Sequence, residues 1–530
     1  MEHITAVSRL LFCLRSRAAH PAVAWNGRIF TFEEIRRLSS LYVDRLSALG
    51  IRRGDRVAIF ADTCPELVAA LVGHLASGVI HVPINTRYRA DEARHLLEDS
   101  GAVAVVAREG EECHKVLEDV LRERRPPQLR EIISLAEAFP SSLYSPSKKS
   151  PSYSSSSPKQ MFSSEPPSDD DVAMLIYTSG TTGKSKGVAL SHRALEENTR
   201  AMMELWRFSP ADRLVHALPL FHVHGLCLGV AGALLTGFTL LLEERFDAAR
   251  VVEAFASEGA TAFMGVPTMY VRLLEHLDTH PEAAEALRKA RLFTAGSAPL
   301  PAADFAAFRE KTGHAILERY GMTETLFTLS NPHEGERRPG TVGLPVPGCS
   351  VRLVDDEGHD AGEGEPGEIH VKGSGLMSGY WGREAETAAA FREGWFLTGD
   401  VARRDAGGYV TILGRKSIDV IKSGGYKISA REIEDVLRRH PSVKDAAVVG
   451  LPDRVWGQRI AAAVVLIEPR DAEAAKRACE EIAAFAASHL ADFKKPRDLR
   501  AVTELPRNAL GKVQKHLLGP LFIGRDRDLA

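Results

Sequence analysis

The twelve residues from Tyr177 to Val188 have the composition of a polyphosphate-binding loop, since they read Tyr-Thr-Ser-Gly-Thr-Thr-Gly-Lys-Ser-Lys-Gly-Val. The apolar run Val172–Tyr177 predicts a buried strand that leads into this loop. Glycines let the backbone approach an anion, N–H and O–H groups donate to it, and lysines neutralise its charge. The Walker P-loop pattern is not matched in frame. We therefore predict a phosphate-binding loop of another kind, the alternative being a flexible surface loop.

The overall composition is that of an ordinary globular protein with more than one domain. A length of 530 residues exceeds the roughly 250–300 residues at which single cores stop growing. Hydrophobic and charged residues make up 44% and 26% of the chain, and the net charge of −3 gives no electrostatic footprint for nucleic acid. No apolar run approaches the ~18 residues that would span a bilayer. Six scattered cysteines without a CxxC pair predict a reducing compartment and no metal site.

The first 20 residues hold three arginines, Arg9, Arg15 and Arg17, against one acid, around a short apolar run. Such a segment is typical either of an organelle transit peptide or of an amphipathic first helix. We favour the helix, because Trp25–Glu34 already reads as a hairpin that runs into a helix. The predicted location is therefore cytoplasmic, with a mitochondrial one as the alternative.

Short apolar strands alternate with helical patterns through most of the chain, which predicts layered α/β sheets. The predicted strands are 56–60, 78–82, 102–107, 213–218, 238–242 and 261–265, and the first predicted helix among them is 65–77. Residues 141–168 interrupt this order with a run dominated by Ser, Pro and Lys, which we interpret as a disordered insert or linker.

The texture changes in the last third of the sequence. Glycine-punctuated strands at 350–354, 367–371 and 408–413 predict a β-rich subdomain. The later pattern predicts a small α+β domain with helices at 432–439 and 472–490 and strands at 445–449, 460–467 and 499–502. We predict an N-terminal domain over residues 1–413 and a mobile C-terminal domain over residues 414–530.

Three further motifs follow the loop in order along the chain. They are Glu318-Arg-Tyr-Gly-Met-Thr-Glu324, Trp395-Phe-Leu-Thr-Gly-Asp400 with Gly414-Arg415, and Pro506-Arg-Asn-Ala-Leu-Gly-Lys512. With Tyr177-Thr-Ser-Gly-Thr-Thr-Gly-x-x-Lys-Gly, this series resembles the adenylate-forming superfamily of acyl-CoA synthetases, luciferases and peptide-synthetase adenylation domains. The resemblance covers nearly the whole chain and implies ATP-dependent ligation of an acid to CoA through an acyl-adenylate.

The resemblance implies a role for each motif. Tyr320 stacks on the adenine, Thr323 meets the α-phosphate, and Glu324 holds Mg²⁺, which suits a hard cation. Asp400 binds the ribose hydroxyls, and Arg415 reaches the ribose or a phosphate. The implied ATP and AMP residues are Thr178, Ser179, Gly180, Thr181, Thr182, Gly183, Lys184, Lys186, Gly296, Ser297, Ala298, Glu318, Arg319, Tyr320, Gly321, Met322, Thr323, Asp400, Arg415 and Lys512. Ser423, Gly424 and Gly425 would bring bare backbone to the pantetheine of CoA, or form only a tight turn.

In the family, the lysine at the position of Lys512 reaches the active site and stabilises charge during adenylation. A rotation of the C-terminal domain then withdraws it, so that the thiol can enter. The predicted hinge lies within Ser417–Asp419, with Asp419 as our choice. The predicted catalytic residues are Thr178, His222, Glu324 and Lys512.

Two segments are expected to flank the acyl pocket, Leu218–Gly225 and Arg291–Pro299. They supply His222, His224 and Arg291, whose donors and positive charge suit a second carboxylate on the substrate, and Met322 completes the predicted set. These segments resemble malonyl-CoA synthetases, as do 206–210, 265–270, 317–324, 331–343 and 457–459. Malonate is therefore the predicted acid, with methylmalonate as a second possibility.

Other readings stay open. Some aryl-acid and fatty-acid CoA ligases carry the same residues in the acyl segments, and an adenylation enzyme that loads a carrier protein would share the nucleotide motifs. A degenerate nucleotide-binding protein would not need Lys512, Glu324 and Asp400. The predicted partners are ATP, CoA and a carboxylic acid, with Mg²⁺, in a monomer or weak homo-oligomer that binds no nucleic acid.

The Lys512→Ala variant is expected to lose adenylation and to retain most of its thioester formation from supplied acyl-adenylate. The reason is that the cation acts on the carboxylate and α-phosphate in the first half-reaction alone. Acid-dependent ATP–pyrophosphate exchange and CoA acylation, measured separately, test this. An equal loss in both half-reactions would contradict the assigned role.

Overall fold

A computed structural model describes residues 5–139, 166–178, 185–416, 420–423, 426–453, 456–468, 471–490, 494–507 and 511–522. Most of the predicted Ser/Pro-rich insert and all of the predicted hinge, Ser417–Asp419, lie outside these ranges.

The helices and strands are numbered in chain order. The α-helices are α1 Ala6–Ser16, α2 Phe32–Ala48, α3 Pro65–Ser77, α4 Ala90–Ser100, α5 Glu112–Glu123, α6 Leu135–Ala138, α7 His192–Leu205, α8 Gly232–Thr236, α9 Ala248–Ser257, α10 Pro267–Thr279, α11 Ala284–Arg288, α12 Ala302–Thr312, α13 Glu384–Ala389, α14 Ala430–Arg438 and α15 Ala472–His489. A π-helix covers His224–Ala231, and short 3-10 turns cover Pro281–Ala283, Lys515–Leu517 and Gly519–Phe522.

The strands alternate with these helices. They are β1 Pro21–Trp25, β2 Arg28–Thr31, β3 Arg56–Phe60, β4 Ile80–Pro83, β5 Ala104–Ala107, β6 Glu131–Ser134, β7 Val172–Thr178, β8 Lys186–Ser191, β9 Arg213–His216, β10 Thr239–Leu242, β11 Ala262–Gly265, β12 Leu292–Ala295, β13 Leu317–Met322, β14 Leu326–Ser330, β15 Leu344–Pro345, β16 Cys349–Val354, β17 Gly367–Gly373, β18 Gly379–Tyr380, β19 Phe391–Arg392, β20 Trp395–Arg404, β21 Val410–Arg415, β22 Val420–Ser423, β23 Tyr426–Ser429, β24 Val443–Asp453, β25 Gly457–Leu466 and β26 Asp498–Val502.

The chain divides into two compact units, of which the first comprises 1–339, 345–350 and 372–394. It contains a seven-stranded sheet in the order β18-β8-β7-β4-β3-β5-β6 and a second sheet in the order β14-β13-β12-β11-β9-β10-β1-β2. Adjacent strands from β10 to β13 and from β7 through β4 to β6 are parallel, so the predicted layered α/β architecture is confirmed.

The central strands form because they can be buried on both faces. All four residues of β10, β11 and β12 are buried, as expected for parallel strands covered by helices on each side. Aromatic side chains fill the space between the sheet and its helices, among them Phe263, Phe293 and Phe308. Because these strands run in parallel, the segments that follow them meet at one edge of the sheet.

The N-terminal segment forms a helix of the folded protein, as predicted. Thr5 caps α1 by accepting a hydrogen bond from the Ser8 N–H, and the Ala6 N–H donates to Asp169 at 2.8 Å. The predicted hairpin is formed by β1 and β2, and α2 follows with a capping box between Thr31 and Glu34. Among the described helices, none is both long enough and apolar enough to cross a membrane.

The second unit comprises 340–344, 351–371 and 395–530. It contains antiparallel pairs of β17, β20 and β21, which are the predicted β-rich subdomain. A second sheet has the order β23-β22-β25-β24, with β26 parallel to β25, and α14 and α15 contribute to its core. The predicted elements of the α+β domain are all present, while the predicted boundary between 413 and 414 stays a prediction.

Candidate functional site

The predicted phosphate loop connects two paired strands. β7 and β8 are antiparallel, and their register places Thr178 opposite Lys186 where the loop begins and ends. The intervening Ser179, Gly180, Thr181, Thr182, Gly183 and Lys184 lie outside the described residues.

Both ends of the loop are held by polar contacts from elsewhere in the same unit. The Tyr177 hydroxyl donates to Asp99 at 2.9 Å, and Asp99 also forms an ion pair with Arg383 at 2.6 Å. Burial and the nearby Asp99 carboxylate raise the pKa of Tyr177, which therefore stays a neutral donor. His95 contacts the Ser185 carbonyl oxygen at 2.8 Å through Nε2. Both ends of the loop are thus anchored by side chains of α4. Asp99 holds Tyr177 before the loop, and His95 holds Ser185 after it.

Lys186 and Glu324 are brought together through one tyrosine. The Tyr380 hydroxyl donates to Glu324 Oε1 at 3.1 Å, and the Lys186 ammonium lies 5.2 Å from the centroid of the Tyr380 ring. Lys186 also forms an ion pair with Glu386 of α13. Glu324 is only 7% exposed. The predicted phosphate-binding lysine and the predicted metal-binding carboxylate therefore belong to one polar cluster.

The motif that begins at Glu318 lies on β13 and the turn after it. Glu318 and Arg319 are buried, whereas Tyr320, Gly321, Met322 and Thr323 are half-buried at the end of the strand. A side chain at 321 would be impossible here, since its Cβ would lie 1.9 Å from the Leu326 carbonyl oxygen. These four consecutive residues are accessible enough for a flat ligand to contact them.

The segment after β12 meets the segment after β9 at the carboxyl edge of the sheet. Ser297 Oγ and His224 Nδ1 are 3.3 Å apart, which brings together residues from the two predicted acyl segments. Ser297 has a φ of 69°, an uncommon left-handed conformation for a residue with a side chain. His224 starts the π-helix, a departure from α geometry that is frequent at functional sites. Gly296 is buried and Ala298 half-buried beside Ser297.

Arg319 is an enclosed cation with unsatisfied donors. Its residue is 4% exposed, and its guanidinium carbon lies 4.9 Å from the centroid of the Phe327 ring. Among the described residues, neither Nε nor Nη2 has a hydrogen-bond partner. Burial lowers the pKa of Arg319 to about 9, so the side chain is still charged at neutral pH. A Cβ on Gly296 would lie 2.5 Å from the guanidinium carbon, so any other residue at 296 would require the guanidinium to shift.

The histidines of the pocket do not carry the charge that the sequence suggested. Burial lowers the pKa of His216 and of His222 to about 4. The pKa of His224 is well below its usual value because of burial, the charge of Arg319 and the two neighbouring histidines. We expected positive charge from His222 and His224. The structure corrects this, because desolvation keeps both imidazoles neutral and leaves them hydrogen-bonding groups only.

Arg291 does not join this site. It directly precedes β12, at the opposite end of that strand from Gly296, and its N–H donates to the Thr261 carbonyl at the start of β11. Its guanidinium forms an ion pair with Asp212 at 2.6 Å, donates to the Trp206 carbonyl at 3.0 Å and lies 4.5 Å from the centroid of the Phe208 ring. The prediction that Arg291 binds substrate is wrong in placement, since a four-residue strand of roughly 13 Å separates the two edges.

The buried cation that the structure places beside Gly296 and His224 is Arg319. It was assigned to the nucleotide because it stands in the Glu-Arg-Tyr-Gly motif. The only sequence signal for a pocket role is its position beside Tyr320 on the same strand. Its nearness to His224 and Gly296 depends on three strands that are distant in sequence.

The second unit holds the other predicted residues. Asp400 and Arg415 are opposite each other on β20 and β21 and form an ion pair at 2.9 Å. Ser423 is buried at the end of β22, and Gly424 and Gly425 lie outside the described residues. Lys512 follows Gly511, whose φ is 77°. The ribose, CoA and catalytic roles of these residues stay predictions.

Known proteins match the chain over most of its length. The family model described as AMP-binding enzyme matches residues 13–381, and that described as AMP-binding enzyme C-terminal domain matches residues 432–512. A hop (Humulus lupulus) protein named Probable CoA ligase CCL8 is 34% identical over 502 residues, 91% of this chain and 82% of that protein. Human mitochondrial Malonate–CoA ligase ACSF3 is 35% identical, covering 88% of this chain and 83% of its own. The crystal structure of ATP-bound MatB from Rhodopseudomonas palustris has a TM-score of 0.85 at 32% identity, covering 98% and 99% of the two chains.

The Arg291→Met variant is expected to lose about 2 kcal/mol of stability, because it leaves the largely buried Asp212 carboxylate without its charged partner. Catalytic efficiency should fall in parallel for every acid, since the side chain does not reach the pocket. Thermal denaturation and kcat/KM for malonate and butyrate on the same preparation test both statements. A selective loss on malonate, with stability intact, would return Arg291 to the substrate site.

Proposed function

The chain belongs to the AMP-binding enzyme family and is an AMP-forming acid–CoA ligase, and on that premise we propose that the acid it activates is malonate. In the first half-reaction the acid attacks the α-phosphorus of ATP, giving acyl-adenylate and pyrophosphate. In the second, the CoA thiol displaces AMP and gives the thioester. Methylmalonate, which differs by one methyl group, is proposed as a second substrate.

The proposal rests on the unsatisfied edge of the Arg319 guanidinium. Nε and Nη2 lie on the same side of the group, and their parallel N–H bonds match the two oxygens of one carboxylate. Leaving two buried guanidinium nitrogens unpaired costs free energy, so an anion that pairs with this edge would be bound favourably. The distal carboxylate of malonate has the charge and the geometry to pair with it.

The surroundings of Arg319 favour a small polar acid. Neutral His224 and the Ser297 hydroxyl offer hydrogen bonds beside it, and His222 stands in the same segment. A fatty-acid or aryl chain in this position would leave the guanidinium donors unpaired, at a cost of about 1–3 kcal/mol for each lost partner. The same cost applies to any uncharged acid, so the pocket discriminates by charge as well as by size.

We propose that the nucleotide binds to the half-buried residues Tyr320–Thr323 and to the loop between Thr178 and Lys186. The Glu324 carboxylate fits Mg²⁺, which typically binds one or two protein carboxylates together with phosphate oxygens and water. When bound, Mg²⁺ neutralises phosphate charge. Glu324 would hold it while Tyr380 orients the carboxylate.

In the second unit, we propose that Asp400 and Arg415 bind the ribose, that Lys512 acts in adenylation, and that Ser423, Gly424 and Gly425 border the CoA channel. The alternative of an enzyme that loads a carrier protein differs in its acceptor. CoA-dependent AMP release over a panel of malonate, methylmalonate, acetate, octanoate and coumarate tests the acceptor and the acid together. Release that is independent of CoA, or fastest with octanoate or coumarate, would overturn the proposal.

The Arg319→Met variant is expected to reduce kcat/KM for malonate by about 10- to 150-fold, the equivalent of the roughly 1.5–3 kcal/mol of a hydrogen bond to a charged group. Efficiency on butyrate should change little or improve, because methionine fills the same space without a charge. Arg291→Met is the matched control, since it removes a guanidinium from the other edge of the same sheet.

The two acids separate the possible roles of Arg319. A parallel loss on malonate and butyrate with a raised KM for ATP would place the guanidinium in the nucleotide subsite, as its motif first suggested. A parallel loss with unchanged KM for ATP and a lower denaturation temperature would mean that Arg319 is only structural.

A further inference from the structure

The segment that carries Lys512 is fastened to the second unit by apolar contacts on both sides of the lysine. Leu505 before it and Leu518 and Phe522 after it are buried against residues of β24 and β25. Val513, directly after the lysine, packs on the same cluster. These contacts hold the chain before Lys512 at Leu505 and after it at Val513, Leu518 and Phe522; we call these two stretches the arms of the segment.

The two arms are joined close to Lys512. Arg507 and Val513 form an isolated antiparallel bridge, and the Gln514 N–H donates to the Pro506 carbonyl oxygen at 2.7 Å. Lys512 lies between the two bridged residues, one residue before Val513. The bridge therefore limits how far the backbone of Lys512 can move.

The Arg507 guanidinium reaches the peptide group of the lysine itself. One of its nitrogens, Nη1, donates to the Gly511 carbonyl oxygen. That oxygen and the Lys512 N–H belong to one planar peptide unit, so holding the oxygen orients the plane from which the Lys512 Cα extends. Gly511 has a φ of 77°, a left-handed conformation that glycine adopts without steric cost.

The other end of the guanidinium is tied to the body of the unit. Arg507 Nη2 donates to Asp445 Oδ2, near the start of β24. The other oxygen of Asp445 accepts from the Ala446 N–H at 2.8 Å and from Arg438 Nε at 3.3 Å. Arg438 in turn donates to the Ala446 carbonyl at 2.7 Å. Asp445 is thus a fixed acceptor, held by a strand and a helix, on which Arg507 can pivot.

A second ion pair secures the residues after Lys512. Lys515 Nζ lies 2.7 Å from Glu434 Oε1, and both side chains are largely buried. The same Glu434 oxygen accepts from the Val448 N–H at 2.8 Å. The chain is therefore held on both sides of Lys512, and the Arg507 contact acts on the peptide unit of Lys512 itself.

We propose that Arg507 is a positioning residue that, anchored on Asp445, sets the orientation of Lys512 for adenylation. The inference rests on the role of Lys512 in the proposed function. Arg507 needs no contact with any substrate, since it acts by holding the Gly511 carbonyl. Its effect should therefore be confined to the half-reaction that uses Lys512.

The test measures the two half-reactions in the full chain with Arg507→Met and Asp445→Asn. ATP–pyrophosphate exchange, with the acid that the wild type activates fastest, should fall by about 10- to 100-fold, as expected when a catalytic group is misplaced by an ångström. Thioester formation from supplied acyl-adenylate and CoA should stay at the wild-type rate. Arg507→Lys, which keeps a charge near Asp445 without a fork that spans both acceptors, should recover part of the exchange rate.

Two controls separate positioning from folding. Arg477→Met removes an exposed arginine that pairs only weakly with Glu473 on α15, and both half-reactions should be unchanged. In the Lys512→Ala background, Arg507→Met should add no further loss, because residues that act through one another are not additive. A parallel loss in both half-reactions, an additive loss in the double variant, or an unchanged exchange rate in Arg507→Met would overturn the inference.

The proposed role of Lys512 fails separately. If Lys512→Ala retains full exchange activity, that role and this inference both fall. If Lys512→Ala loses exchange and Arg507→Met does not, only the positioning role of Arg507 is overturned.

Discussion

The enclosure of one guanidinium constrains the whole pocket of the first unit. Arg319 lies on a central strand, buried and charged, with one hydrogen-bonding edge unsatisfied. A larger residue at 296 would require the Arg319 guanidinium to shift, since a Cβ there would lie 2.5 Å from the guanidinium carbon. The charge of Arg319 also helps to lower the pKa of the His224 imidazole, so that it stays neutral. An unsatisfied buried guanidinium costs folding stability, which supports the proposed recognition of an anion there.

The nucleotide side of the same unit uses weaker interactions. Lys186 is paired with Glu386 at the surface, where solvent screens the ion pair and leaves it weak. A phosphate can therefore take over this lysine at little cost. By contrast, the ends of the loop are held by buried or half-buried contacts of Tyr177 and His95. Fixed ends and an exchangeable cation suit a loop that must bind and release a polyphosphate in every turnover.

The second unit positions its lysine by a different principle. Apolar side chains hold the chain on both sides of Lys512, while the charged Arg507 guanidinium donates a hydrogen bond to the Gly511 carbonyl oxygen beside the lysine. Dispersion contacts tolerate small shifts, whereas a hydrogen bond to a single carbonyl defines a direction. The arrangement matches a residue that has to be presented in one orientation during one half-reaction.

Most of the fold could be predicted from the sequence because it depends on local patterns. Helix α3 begins at Pro65 and ends before Gly78, whose φ of 71° closes it, and β3 has the predicted bounds. Strand β24 extends beyond its predicted five residues at both ends. Its long antiparallel pairing with β25 supplies backbone hydrogen bonds that no local pattern reveals. The family could be predicted for the same reason, since its motifs are contiguous runs.

The sequence by itself determined the residue types at the site, the order of the motifs and the reaction class. The tertiary structure alone decided which arginine belongs to the pocket and which groups carry charge there. Arg291 and Gly296 are five positions apart, yet a strand between them places them on opposite edges of the sheet. Arg319 lies outside both acyl segments in the sequence, yet its strand β13 places it beside Gly296 and His224. The protonation of the histidines depends on their burial, and burial depends on how the sheet and its helices pack. The order of residues alone therefore could not show which of these groups are charged.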